Sequence, residues 1–532
     1  MTPVANRLPR RLRLTLALAP LGVLAVFYAW PLATVLVRAL APAAVTDTLG
    51  RGITWRVLWF TTWQAVVSTV LTVVIGLFPA HVMARYDFAG RRVLDGLLAA
   101  VFVLPTVVMG AAVLALLPRS IERGVVAIVV AHVLFNLAVV VRTVGAALAA
   151  IPLDAEAAAA TLGASPIQAW RHVTLPRLRP AVLAAASVVF VFTFTSFGVV
   201  RVLGGGGRAT IEVEIWRQAT QFGNVGAAAV LTVGQLLVVG VVVAGLARGQ
   251  RRSAVVLDPR RRTSRRPTTT TGQRLLVTAV ALVTAFVVAG PLVALVERSL
   301  RTSSGYSLGA WRHLGGVELR PGISIGVDPV ASLLASLQAM AVAVILAVVV
   351  GAMAAVAISM AGSWSTFIDT AVALPIATSA VTVGLGLLIT FDTPPFDWRA
   401  SWGLLPVGHA LVALPFVVRM VLPAVRSIDP RRIEAAATLG AGPVRAWVTG
   451  VGPVLRRPLT AAAGLAGAIS LGEFGATSLL SRSGRETMPV AIERLLGRSG
   501  AALQAQGYVL AVILAVTTVV VVLAVDMGLD RR

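Results

Sequence analysis

The chain has 532 residues, of which 57% are hydrophobic and only 13% charged, and its mean hydropathy is +0.88. Soluble domains carry about 25% charged residues, so a soluble fold of this size would lack a polar skin, and the outer surface must face lipid. The net charge of +24 comes from arginine alone, since the sequence holds no lysine and no cysteine. Without lysine there is no phosphate-cradling P-loop. Without cysteine there are no disulfides, thiolate zinc sites or iron–sulfur clusters. The five histidines form no HExxH pair, which leaves a metal hydrolase without support. The arginines fall between apolar runs rather than along one soluble face, as in the basic loops of a membrane protein, so no nucleic-acid partner is expected.

A spanning helix needs about 20 mostly apolar residues. The first such run covers 14–40 and follows Arg7, Arg10, Arg11 and Arg13. It is too long for a signal peptide and no small-residue cleavage site follows, so it reads as a retained first span. Further runs fall near 57–83, 94–117, 124–149, 181–203 and 225–247. A second series falls near 275–299, 330–359, 366–391, 402–427, 459–480 and 505–526. The expected fold is therefore an all-α membrane protein of about twelve transmembrane helices. Between the two series, residues 248–273 hold eight arginines and the run Thr268–Thr271, the composition of a solvated linker. The positive-inside rule places this linker and both termini in the cytoplasm, in a multi-pass protein of the cell membrane.

The two series repeat one another. AEAAAATLGASPIQAW at 155–170 matches RIEAAATLGAGPVRAW at 432–447, with Gly163 aligned on Gly440. The same offset relates His132 to His409, Arg142 to Arg419, Pro176 to Pro453 and Phe197-Gly198 to Phe474-Gly475. The chain thus reads as two copies of one six-span unit, 1–247 and 274–532, in the same orientation because each copy has an even number of spans.

The best-matched stretch is a loop between spans, at about 154–180 and 431–458. In the first copy an alanine-rich helix ends at Gly163, the residue type favoured just past a helix C-terminus. Ser165-Pro166 then supplies an N-cap and a first-turn proline for a second short helix. Gly440 and Gly442-Pro443 do the same in the second copy. On the second helix Ile167 and Trp170 lie at i, i+3, as do Val444 and Trp447. A knob with an exposed aromatic, present twice, suggests docking onto a partner.

These residues resemble a known family. Glu434-Ala435-Ala436-Ala437-Thr438-Leu439-Gly440-Ala441, with Pro453 downstream, is similar to the EAA loop of binding-protein-dependent ABC importer permeases. Ala158, Leu162, Gly163, Ala164 and Pro176 carry the pattern in the first copy, where Ala157 stands in the glutamate position and Glu156 comes one residue early. The resemblance implies two ATP-binding cassette subunits docked on the loops, at Glu156, Gly163, Ile167 and Trp170 and at Glu434, Gly440, Val444 and Trp447. It also implies an extracytoplasmic solute-binding protein. The fused layout, with LP turns at Leu104-Pro105 and Leu374-Pro375, resembles the thiamine and ferric-iron branch. FTSFGVVRVLGGG at 194–206 and SLGEFGAT at 470–477 favour thiamine over iron.

Inside the spans, His132 and His409 are polar residues at matching positions, read as substrate-path candidates or as cross-helix hydrogen bonders. Glu473 and its counterpart Ser196 are further path candidates. Arg142 and Arg419, near helix ends, read as snorkelling or bracing residues. No cofactor, metal or catalytic cluster is expected, and ATP hydrolysis belongs to the partner subunits. A secondary transporter would also show twelve spans and a repeat, but it has no use for two docking loops.

Overall fold

A computed structural model describes residues 9–252 and 265–530, except 206, 303–304, 313, 315–317, 321–322, 325–326, 393, 395, 399–400 and 483. Residues 253–264 of the expected linker, and Arg7 of the basic start, lie outside the described residues. The protein is helical almost throughout. Its strands are three pairs of short segments, among them Tyr86–Asp87 paired in parallel with Arg266–Pro267.

Among the described residues, nine helices are long and apolar enough to cross a membrane, and two bent pairs bring the count to as many as eleven. The element expected at 459–480 is the thirty-residue helix Pro443–Gly472, which is not apolar enough to join the nine. The two expected spans at 94–117 and 366–391 are broken. Arg91–Val103 meets Thr106–Leu116 at 110°, with Leu104 extended before Pro105, as proline forces on the residue ahead of it. In the second half the break does not fall at Leu374-Pro375. Pro375 lies inside the helix Ser365–Ala377, and the chain turns at Thr378, after which Ser379 Oγ caps the next helix by accepting from Thr382 N at 3.0 Å. Here a side-chain cap, not the proline, sets the turn.

The chain gathers into two compact units, one of residues 51–213 and 234–298, the other of 1–50, 214–233 and 299–532. The unit holding the second repeat thus also holds the first span. In it, Arg10–Leu24 packs on Pro329–Met360, and Trp30–Ala39 packs on Ala380–Thr390. There the Tyr28 hydroxyl reaches Thr378 Oγ1 at 3.2 Å. Pro329–Met360 also packs against Leu404–Arg426 and Pro443–Gly472. In the other unit, Gly52–Arg85 packs against Val125–Ala150 and Leu175–Phe194.

Lipid tails are as apolar as leucine, so helices in a membrane associate by close packing rather than by the hydrophobic effect. Small residues supply the approach. Ala335, Ala339, Ala343, Ala347, Gly351 and Ala355 recur every fourth position of Pro329–Met360 and all are buried. A Cβ on Gly351 would lie 2.6 Å from Val417 Cγ1. The first unit repeats the crossing, since a Cβ on Gly76 would lie 2.7 Å from Val140 Cγ1, and Val140 and Val417 are equivalent positions of the repeat. Gly351→Leu is expected to cost about 1–3 kcal/mol by overpacking and to lower the melting temperature of the purified protein. Val417→Ala in the same chain should restore part of the loss. Gly240→Leu, where nothing lies within 4 Å, should leave melting unchanged.

Candidate functional site: the two repeated loops

Each loop is a helix, a left-handed glycine and a second helix. Leu153–Thr161 ends in a Schellman turn: Gly163 has φ +85° and donates to Ala160 O at 3.0 Å, while Ala164 N donates to Ala159 O at 3.1 Å. Arg431–Thr438 ends alike, with Gly440 at φ +83° donating to Ala437 O at 3.0 Å and Ala441 N donating to Ala436 O at 3.1 Å. Glycine is required at both positions because a Cβ is disfavoured at such φ. In the first loop Ser165 and Gln168 form a reciprocal capping box: Gln168 N donates to Ser165 Oγ at 3.3 Å and Ser165 N to Gln168 Oε1 at 2.8 Å.

The second helix of each loop is not a separate short helix. It is the first turn of the following span. In the second half a single helix runs from Pro443 to Gly472. In the first half Pro166–Ala169 continues through a π turn, Trp170–Thr174, into Leu175–Phe194.

Two leucines at equivalent positions of the repeat, Leu162 and Leu439, are each 89% exposed beside the glycine turn. Sequence reasoning named them only as letters of the motif. Their signal was an apolar residue at the helix end, where no periodicity asks for one. Ile167, Trp170 and Val444 are exposed as expected. Trp447 is not: it is half-buried, packed against the core cluster as Ala436 and Ala441 are. Val448 is exposed beside Val444 instead.

The early glutamate of the first loop has a structural consequence. One residue shifts a side chain about 100° around a helix. Glu156 therefore shares its register with Ile433, which is 2% exposed, while Ala157 shares the register of Glu434. Glu156 turns inward. Arg85 Nη2 and Thr174 Oγ1 each donate to its Oε1 at 2.8 Å, and Arg266 Nη2 lies 3.6 Å from its Oε2. Arg85 is 3% exposed and also donates to Ile151 O at 2.9 Å. Ile433 does the same bracing by packing, since a Cβ on Gly450 would lie 3.1 Å from its Cγ1. Arg142 and Arg419 brace the helices above the loops through Asp95 at 3.7 Å and Asp369 at 3.6 Å. Both pairs are half-exposed, so each contributes about 0–1 kcal/mol.

The path candidates fall into two settings. His409 Nδ1 lies 2.8 Å from Ser470 Oγ and its Nε2 2.7 Å from Thr477 Oγ1. Glu473 is not inside a span. It sits at the break between Pro443–Gly472 and Gly475–Leu480, where its Oε1 accepts from Ala476 N at 2.9 Å, and Thr477 Oγ1 donates to its carbonyl at 2.8 Å. Ser196 occupies the matching break after Phe194, and its carbonyl accepts from Thr210 Oγ1 at 3.4 Å. Among the described residues the His132 ring meets only Ser68 Oγ, at 3.4 Å, and its Nε2 has no partner. Around it the ridge Gln64, Ser68, Thr72 and the facing Asn136 are polar and buried. Gln64 Oε1 and Asn136 Oδ1 also lack partners. The second half carries Ala339, Ala343, Ala347 and Ala413 in the same places. Sequence reasoning also passed over Glu212 and Glu214, 0% and 5% exposed, held by Gln235 and by Gln218.

Residues 72–254 match the family described as the inner membrane component of binding-protein-dependent transport systems. A thiamine transport system permease protein of Brucella abortus (strain 2308) is 28% identical over 466 residues, covering 83% of this chain and 82% of that protein. The Escherichia coli (strain K12) thiamine permease is 25% identical over 467 residues, covering 83% and 84%. A sulfate transport system permease protein of Salmonella typhimurium is 34% identical over 154 residues, covering 26% of this chain and 56% of that protein. The long matches run through both repeats of this all-α chain, whose described residues hold nine to eleven candidate membrane spans.

The two histidines predict an asymmetry. His409→Leu strands the buried Ser470 hydroxyl and leaves Thr477 Oγ1 with only the Glu473 carbonyl, at a cost of about 1–3 kcal/mol, and should lower the melting temperature of the purified protein. His132→Leu removes a group with one long contact and should cost less. Equal losses would show that the two settings do not differ in energy.

Proposed function

We propose that the chain is the complete membrane path of an ATP-driven importer. Its two loops receive one ATP-binding cassette subunit each, and its opposite face accepts a small solute from an extracytoplasmic binding protein. The halves 1–247 and 274–532 each supply one loop, and the positive-inside rule puts both loops, the linker and both termini on the cytoplasmic face. The observation that carries this reading is the pair of exposed leucines beside the glycine turns. An apolar side chain 89% exposed on a rigid turn suits an anchor for a partner's pocket. It occurs twice in one chain, as two docked subunits require.

We infer thiamine as the solute, because the relatives that match along most of the chain are named for its transport. Thiamine is an organic cation, and the buried carboxylates of Glu214 and Glu473 suit such a cargo. His132, Ser196, His409 and Glu473 stand along the proposed path. The chain itself performs no covalent step. Closure of the docked ATPases on ATP moves the loops, and each loop moves the span it is continuous with.

The test is ATP-driven uptake in proteoliposomes holding the permease, its ATPase subunits and its binding protein. Leu162→Asp or Leu439→Asp should lower thiamine uptake about tenfold, as expected when a hot-spot anchor is lost, and the double variant should abolish it. Glu434→Ala should weaken ATPase binding directly. Glu156→Ala should act instead by loosening the first loop, visible as faster amide exchange over 153–161. Unchanged uptake in the double variant would remove the docking role. Uptake of ferric iron or sulfate in place of thiamine would correct the substrate.

A further inference from the structure

At the base of the first loop lies a cavity of about 410 Å³ lined by Asp87, Phe88, Gly90, Arg91, Arg92, Val93 and Arg265. Three guanidinium groups thus face one carboxylate, and among the described residues none of the three makes an ion pair. Arg91 is anchored by donation from Nε to Met83 O at 3.2 Å. Arg265 is brought there by the strand pairing of Tyr86 with Arg266 and Asp87 with Pro267. The next residue, Arg266, holds Glu156 of the loop. The helix that starts at Arg91 has no acidic residue in its first turn and no side-chain cap.

Arginines that outnumber the carboxylate lining a concave site concentrate positive potential. A guanidinium fork matches a phosphate bidentately. Basic pockets among membrane helices at the cytoplasmic surface take phospholipid headgroups. The volume is more than ten times the roughly 30 Å³ share of one liquid water, so it admits a phosphate group.

We propose that this cavity binds a phosphate-bearing anion, either the headgroup of an anionic lipid or free phosphate, and that the bound anion holds the linker strand against the base of the first docking loop. The cavity's place in the inner leaflet rests on the orientation proposed above. The binding itself does not. With the anion in place, Arg265 and Arg266 are fixed together, one on the phosphate and one on Glu156. The lipid or phosphate supply then sets how firmly the first loop is held.

The experiment uses the full chain in nanodiscs of phosphatidylcholine, with and without phosphatidylglycerol, and separately in phosphatidylcholine discs titrated with inorganic phosphate. Native mass spectrometry counts retained phosphatidylglycerol, and amide exchange reports protection over 86–93 and 265–268. Retention and slower exchange with phosphatidylglycerol are expected, lost about a hundredfold in the Arg91→Gln, Arg92→Gln, Arg265→Gln triple variant. Asp87→Asn keeps every arginine and removes the one carboxylate in the cavity lining, so it should tighten retention about fivefold, a readout that survives if the triple variant fails to fold. Protection by inorganic phosphate alone would assign the site to a soluble anion. No response to either probe, or equal retention in wild type and triple variant, would overturn the proposal. ATP-driven uptake that stays normal in that case would leave the permease reading intact.

Discussion

Loop and span are one continuous rod, and the rest of the structure depends on that continuity. Pro443–Gly472 is thirty residues of helix, about 45 Å long, and its first turn is the second helix of the repeated loop. A displacement at the loop therefore enters this helix directly, and Pro453 and Pro458 are the positions within it where it can bend. The left-handed turn at Gly440 sets the tip, and burial of Ile433 against Gly450 locks the preceding helix to the rod. In the first half the same rod contains a π turn at Trp170–Thr174, and an ion pair replaces the apolar lock. Removing one member of a buried pair is costly, whereas an apolar contact fails gradually. The two loops are thus held by different physics in the same geometry.

That contrast recurs inside the spans. The second half meets its neighbours with an alanine ridge and a histidine whose two ring nitrogens are both partnered. The first half presents Gln64, Ser68, Thr72, His132 and Asn136 at the same positions and leaves several polar atoms unpartnered. Unpaired polar groups in a low-dielectric interior are expensive. Around the repeated histidine, the second half is therefore closely packed, while the first keeps Gln64 Oε1, His132 Nε2 and Asn136 Oδ1 without partners among the described residues.

Much of this was legible in the sequence. Hydropathy gave most of the spans, and the constant register between the halves marked the repeat and the paired loops. Gly163 and Gly440 were readable because few residues other than glycine tolerate the turn they make. What the sequence hid was facing. Glu156 reads as a motif acid one residue early, and only the helix phase reveals that one residue turns it from the register of Glu434 to the inside. Trp447 reads as an exposed aromatic because the continuity of its helix with the span cannot be seen in a short window. Glu473 reads as an intramembrane carboxylate because an apolar run does not show that the helix breaks there and needs a cap. The Leu374-Pro375 pair reads as the turn, yet the hydroxyl of Ser379 decides it. Each difference comes from a tertiary or capping contact that local composition does not encode.

The most direct test of the central claim uses the absence of cysteine in this chain. Single cysteines at Leu162 and at Leu439, in the full complex with its ATPase subunits, would be treated with a short thiol–amine cross-linker. Each site should cross-link one ATPase subunit, and a chain carrying both cysteines should capture two. A chain whose cysteines at both positions stay unlinked, while the complex still hydrolyses ATP and transports solute, would contradict the account.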